Sequence, residues 1–370
     1  MTESAQEGYS PHTVRLAWIL ALAYLLVVAY ASMLPFHGWR VPPEEILRFL
    51  AAPWPRFITL QDVIVNIVAY VPLGLLLSIG WGAHYGPARG AAAATLAVLA
   101  LSLVMEFAQM FLPVRIASNV DLLANGTGGL IGAMAAPLLA PTQSLGGRLH
   151  AARHRLFLDG MLADIGLVIV TLWLLTQLHP NAQLFGTGAL RATLDIPAAF
   201  AHTPLLAFGS EATVVLFNLL GVGLMLLALM RDRARVFPVL GAVVAAALAV
   251  KLFNTVALVQ APAPFAWLTP GVMAGLVSGG LLLWVAARLP RAVQLAAAAC
   301  CIVIATTAIN LAPDNPYHSV PPRLLARGAS HFLSFSGIAR ALSELWPLLA
   351  LAYLACGLGL RDRSDVRNPI

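Results

Sequence analysis

Residues 62–81 read DVIVNIVAYVPLGLLLSIGW, a run whose one charged side chain stands at its first position. A helix rises about 1.5 Å per residue, so roughly 20 apolar residues cross the ~30 Å hydrocarbon core of a bilayer. The run is long enough to span. Pro72 and Gly74 lie inside it, and a membrane helix tolerates both because its neighbours satisfy the backbone groups they free. Asn66 follows Asp62 by one turn on the same face, so the run opens with a polar stripe and is apolar beyond it.

Comparable runs recur outward from this one: His12–Leu34, Gly90–Leu112, Asp121–Leu139, Gly160–Leu178, Leu206–Met230, Val236–Val259, Phe265–Ala287, Ala292–Leu311 and Leu342–Leu360. The 370 residues are 60% hydrophobic and 10% charged, where an average soluble protein carries about 25% charged residues. That composition excludes a water-soluble globule. In lipid each span has to satisfy its own backbone, so the expected fold is all-α, a polytopic transmembrane helical bundle of about ten spans.

Arginine sets the orientation, because short cytoplasmic loops accumulate positive charge. With the N-terminus inside, Arg15, Arg89, Arg148, Arg153, Arg155, Arg231, Arg233, Arg235, Arg288, Arg291, Arg361, Arg363 and Arg367 all fall in inner segments. The other arginines spread over outer loops that are mostly far longer, so both termini are expected in the cytoplasm of a bacterial inner membrane. Pro35–Gln61 and Pro180–Leu205 then face outward, and Pro141–Asp159 and Arg231–Arg235 inward. The net charge of +6 reports these inner loops, and no nucleic-acid partner is expected. Met1–Pro11 is polar and mildly acidic, so the first apolar run is expected to stay in the mature chain rather than to be cleaved. The outer segments Pro35–Gln61, with Trp39, Trp54 and Phe57, and Ala312–Ala341, with Tyr317, Phe332 and Phe335, read as connecting loops with interfacial aromatics, or as surface or re-entrant helices.

Little points to a cofactor. Cys300, Cys301 and Cys356 lie in apolar stretches, and His84, His150, His154, His179, His202, His318 and His331 lack metal-ligand spacing. There is no Walker loop, no Gly-x-Ser-x-Gly elbow and no zincin motif, so neither cofactor nor metal is expected.

An ionisable residue at mid-span costs about 3 kcal/mol on insertion scales, and within Asp62–Asn125 the acids Asp62, Glu106 and Asp121 cluster with several uncharged polar residues. The second span opens Thr59-Leu-Gln-Asp62 and continues to Asn66. The third carries Glu106 and Gln109 on one face, and Pro113 and Arg115 follow it. The fourth begins Ser118-Asn-Val-Asp121, then Asn125, Gly126, Gly128, Gly129 and Gly132. With the orientation above, these groups converge at one depth near the outer face. Plain structure accounts for several of them. Thr59 with Asp62 and Ser118 with Asp121 fit the capping box; Gly128 and Gly132 suit close helix approach, and Asn66 and Asn125 suit interhelical bonding; Glu106 and Arg115 suit an internal ion pair. The functional alternative is an anion site, since two helix N-termini and an arginine meet there. The candidate ligand-binding set is Asp62, Asn66, Glu106, Gln109, Arg115, Asp121 and Asn125.

The ordered pattern Asp62, Asn66-Ile-Val-Ala-Tyr-Val-Pro72-Leu-Gly74, Glu106-Phe-Ala-Gln109, Phe111-Leu-Pro113-Val-Arg115 and Asp121-Leu-Leu-Ala-Asn125-Gly-Thr-Gly128-Gly129 resembles the VanZ-like family of bacterial membrane proteins. The resemblance covers about the first 140 residues. It implies a four-span helical module, first known from glycopeptide-resistance clusters and tied to teicoplanin susceptibility, with Asn66, Pro72, Gly74, Glu106, Gln109, Arg115, Asp121 and Asn125 as its motif positions. It implies no enzyme class.

Residues 141–290 add four more spans, and residues 291–370 two more around an outer loop. The middle block carries traces of a parallel repeat of the first: Pro35 and Pro180 are 145 residues apart, as are Glu106 and Lys251, the only lysine. Gly129-Leu130-Ile131 and Gly275-Leu276-Val277 are 146 apart. Lys251 beside Asn254 is either a snorkelling or paired lysine, or the counterpart of Glu106 with its charge reversed. Three functions compete: a module that binds or handles an anionic membrane lipid or lipid-linked envelope precursor at the outer leaflet; an enzyme using Glu106 as acid or base on such a substrate; and a scaffold for envelope assembly. Nothing in the sequence points to a particular protein partner.

Overall fold

A computed structural model describes residues 9–33, 39–41, 48–54, 60–112, 117–140, 144–179, 183–191, 194, 196–258, 263–313 and 330–367. Among them the regular elements are helices: α1 (Pro11–Ser32), the short α2 (Arg48–Ala51), α3 (Leu60–Tyr85), α4 (Pro87–Gln109), α5 (Asn119–Leu138), α6 (Ser144–Leu156), α7 (Met161–Thr176), α8 (Pro204–Leu229), α9 (Val236–Phe253), α10 (Pro270–Ala286), α11 (Arg291–Leu311) and α12 (Ser330–Arg367). Each apolar run read from the sequence coincides with one of them. Among the described residues seven helices are long and apolar enough to cross a membrane, and α7 and α10 are shorter apolar helices. This is an all-α, multi-pass membrane protein.

Three elements differ from expectation, each for a physical reason. Within Pro141–Asp159, read from sequence only as an inward-facing segment, residues 144–156 form α6, whose Arg148, His150, His154 and Arg155 are exposed. The last helix begins at Ser330 rather than Leu342, so the C-terminal part of Ala312–Ala341 is helical; Pro347 within it is accommodated as proline is in other spans. In the segment after α7 that is expected to face outward, residues 184–188 are buried, with Leu184, Phe185 and Thr187 fully so, while Leu194, Ile196, Phe200 and Leu205 are exposed.

The chain divides into two compact units, Met1–Arg153 with Ala326–Ile338, and His154–Leu325 with Ala339–Ile370. In unit 1, α3 packs against α1, α4 and α5. Glycine makes that possible: a Cβ added at Gly128 would strike the Ile67 carbonyl, one at Gly132 the Val71 carbonyl, and one at Gly74 the backbone of Gly129. On its other side α5 meets α4, where Gly126 takes Leu99 and Gly129 takes Val98. The close approach expected of Gly128 and Gly132 is present. Further along, Trp18 and Trp81 meet edge to face at 5.4 Å, and Tyr24 donates to the Ala69 carbonyl at 2.8 Å.

In unit 2, α8 packs chiefly against α10 and α11. Its buried residues run almost without a break from Asn218 to Leu229, so α8 is the core of this unit. Arginines at the end expected to face inward bond to free carbonyls there: Arg291 donates to Met230 at 2.9 Å and Arg233 to Ala287 at 3.2 Å. Several unit 1 contacts recur about 145 residues later. Gly275 would strike the Ala212 carbonyl and Gly279 approaches that of Leu216, as Gly128 and Gly132 do with Ile67 and Val71. Gln109 donates to the Ser32 carbonyl at 3.0 Å, and Asn254 donates to the Gln177 carbonyl at 3.5 Å.

Candidate functional site

The polar cluster of unit 1 is built where α3, α4 and α5 converge, and it is drier than a surface site. Glu106 is 3% exposed, Asp121 5% and Asn125 5%. Each is held by a neighbouring element. Asn66 of α3 donates to Asp121 Oδ1 of α5 at 2.9 Å, and Asn125 donates to Ser102 Oγ of α4 at 2.8 Å. The two bonds lie one turn apart along α5, joining it first to α3 and then to α4. Gln109 leaves this ladder and turns to the end of α1 through the Ser32 carbonyl.

The start of α5 corrects one expectation. Ser118 does cap the helix, accepting from the Val120 amide at 3.2 Å. In a capping box the acid three residues on would take the Ser118 amide in return. Here that amide donates to Glu106 Oε2 of α4 at 2.9 Å. Asp121 is thereby released from capping duty and faces Asn66. Capping alone therefore does not explain Asp121, and Glu106 ties the start of α5 back to α4 across the α4–α5 connection. Arg115 stands in that connection and lies outside the described residues, as do Thr59 and the Asp62 side chain. The Glu106–Arg115 pair and the capping box of α3 fall there too.

Two members of the cluster were not singled out from sequence. Ser102 is four residues before Glu106 and seven before Gln109, which is one helix face, and Tyr70 is one turn beyond Asn66. Tyr70 is 5% exposed and lies within electrostatic reach of Glu106, Asp121 and Tyr24, with Ser32 as its hydrogen-bond partner. Helical spacing could have found both. One acceptor in the cluster, Asn125 Oδ1, is buried with no partner among the described residues. Among these residues no group of His, Cys, Asp and Glu is placed to hold a metal ion.

Helices α1 to α5, with glycines between α3 and α5 and acids at the mouth of α4 and α5, carry the pattern read from the sequence. Residues 13–140 match the VanZ/LLP1 family model. No curated protein and no solved structure matches the chain. The VanZ/LLP1 stretch covers α1 to α5 and thus the whole cluster, while unit 2 lies outside the match.

Proposed function

We propose that this chain is a cell-envelope protein of the bacterial inner membrane with ten crossings, whose VanZ-like module holds the anionic head group of a lipid or lipid-linked envelope precursor at the outer leaflet. One observation carries the reading: the Ser118 amide is taken by Glu106 and not by Asp121. A buried carboxylate in a span is costly, and packing does not call for it, because glycine contacts already set the α3–α5 approach. What Glu106 does is hold the Ser118 amide, three residues after Arg115 in the chain. Arg115 then grips the anion with the N-terminus of α5 beside it, and Glu106 is a positioning residue. Acid–base chemistry at Glu106 is less favoured, since its carboxyl is engaged and 3% exposed.

A scaffold role is the second reading, supported by the burial of Glu106, Asp121 and Asn125 together. Lipids co-purified with the full-length protein and weighed by mass spectrometry separate the two. Arg115→Ala is expected to lose a bound anionic lipid, and Glu106→Gln to weaken it. Unchanged lipid content and unchanged teicoplanin susceptibility in both variants would leave the scaffold.

A further inference from the structure

Unit 2 contains a feature that the VanZ-like module does not explain. Between α7 and α8, residues Gln183–Arg191 run without regular structure yet are packed inside the unit, with Leu184, Phe185 and Thr187 fully buried. Non-helical backbone in a membrane protein is tolerated where protein covers it or a polar cavity takes its groups. This segment is anchored at many points. The Phe185 amide donates to Gln177 Oε1 at 3.0 Å, the Gly188 amide to the Ser343 carbonyl at 2.8 Å, and Asn310 donates to the Gly188 carbonyl at 2.6 Å. Phe185 has φ 62°, a left-handed conformation unusual for a bulky residue, and such outliers cluster at ligand sites.

Around the segment gather polar atoms that are buried and have no partner among the described residues: Trp173 Nε1, His179 Nδ1, Gln183 Nε2, Asn254 Oδ1 and Thr306 Oγ1. Contacts tie them to one place. Trp173 packs tilted against Phe185 with ring centroids 4.8 Å apart, Asn254 reaches the Gln177 carbonyl, and a Cβ on Gly188 would meet Thr306. Buried polar atoms are normally satisfied, and a group of exceptions calls for something that satisfies them. Lys251, 3% exposed, donates to the His179 carbonyl at 3.2 Å. The charges acting on His179 are those of Lys251 and Arg340, both positive, although Arg340 also pairs with Glu344 at 2.7 Å. At Asn254 the α-helix gives way to a π turn, Asn254–Leu258, a distortion frequent at functional sites.

We infer that Lys251, Trp173, His179, Gln183 and Asn254 around the Gln183–Gly188 segment form a second site in this chain, which binds a phosphate monoester group. Lys251, the Trp173 and Gln183 N–H groups and the His179 Nδ1–H tautomer donate to phosphate oxygens. Asn254 Oδ1 accepts from the P–OH of the monoanion, the form a monoester takes at and below its second pKa of about 6. A diester has no such proton and leaves Asn254 unsatisfied. The contacts that recur from unit 1 place Lys251 and Asn254 where that unit has Glu106 and Gln109, so an acid at this position of the fold has given way to a cation. The site does not depend on the reading of the VanZ-like module.

The test uses full-length protein in detergent, in an Arg115→Ala background that removes the anion grip proposed for unit 1. Binding of dioctanoyl phosphatidate, dioctanoyl phosphatidylglycerol and inorganic phosphate is measured by calorimetry. Phosphatidate is expected to bind, and Lys251→Gln to weaken it roughly 10- to 100-fold, the worth of one charge-assisted hydrogen bond. Gln183→Leu, in the loop and uncharged, is expected to weaken it in the same direction and serves if Lys251→Gln does not fold. Tighter binding of phosphatidate than of inorganic phosphate assigns the site to a lipid, and the reverse to a soluble phosphate. No binding by the Arg115→Ala protein, an affinity unchanged from that protein in both the Lys251→Gln and Gln183→Leu variants, or phosphatidylglycerol binding as well as phosphatidate would overturn the inference.

Discussion

Gly128→Ala tests whether glycine sets the geometry of the polar cluster. The added methyl falls on the Ile67 carbonyl, which is backbone and cannot swing aside. Ordinary carbon contacts lie at about 3.5 to 4.0 Å, so α3 and α5 have to part by roughly 1 Å or more. Overpacking of this kind costs about 1 to 3 kcal/mol. The parting also stretches the Asn66–Asp121 bond, now 2.9 Å, toward the limit of a hydrogen bond, and losing a buried bond of that type adds about 1 to 3 kcal/mol. The expected loss is thus about 2 to 6 kcal/mol. Gly82→Ala in the same unit is the control, because its methyl would meet only Pro87, at 4.0 Å. There the helix is expected to gain about 0.5 to 1 kcal/mol from reduced backbone entropy. Gly126→Ala lies between the two, since it meets the Leu99 side chain, which can move, and Leu99→Val is expected to relieve part of its loss. Thermal unfolding in detergent ranks the three. If Gly128→Ala were no less stable than Gly82→Ala, the steric account of the α3–α5 interface would be wrong.

Arg115→Ala and Glu106→Gln, alone and combined, form a double-mutant cycle: rescue by the second substitution shows that the two groups pair, and additive losses show that they do not. Ser102→Ala is expected to cost about 1 to 3 kcal/mol by stranding Asn125, and Asn125→Leu added to it to recover part of that. Asp159 is exposed, and its bonds to His154 and Arg231 hold its carboxyl below the usual carboxylate range. A depressed folded-state value means that its contribution is present above the unfolded pKa and fades as pH falls through the folded one. The melting-temperature difference between wild type and Asp159→Asn should therefore shrink in acid, and a constant difference would contradict the pairing. Reporter fusions at Gln143 and Asn181 should give opposite signals if arginine bias sets the orientation.

The fold was legible because bilayer thickness acts on every span alike. Run length located the helices without any knowledge of their contacts, and Gly128 and Gly132 announced a close approach by their spacing. The candidate site was legible by residue but not by bond. Asp121 three residues after Ser118 looks like a capping acid in sequence, and only the arrival of Glu106 from α4 shows that another carboxylate has taken that amide. The Gln183–Gly188 segment was hidden for a different reason: hydropathy assigns a short irregular stretch with two glycines to the surface, whereas its burial depends on Asn310 and Ser343, more than 100 residues away in the chain.

The contacts that recur between the units separate what packing requires from what chemistry requires. Gly128 and Gly132 have counterparts in Gly275 and Gly279, each near a carbonyl of the facing helix; a side chain would collide with that backbone at Gly128, Gly132 and Gly275 and crowd it at Gly279. The polar positions are under no such constraint. Asn66 faces Asp121, whereas Glu211, 145 residues after Asn66, takes a bond of 2.5 Å from Thr269, the cap of α10. Glu106 likewise has Lys251 at its counterpart. If the units arose as copies, sterics preserved the glycines while each charged position was free to change its role, Glu106 holding the Ser118 amide and Lys251 facing the anion itself. Both proposed ligands are anions, so the change from Glu106 to Lys251 alters how the anion is held and not the sign of what is bound. Exchanging Lys251 for Glu should, on this reasoning, abolish phosphate binding in unit 2 while sparing the α8–α10 contact, since that contact rests on Gly275 and Gly279.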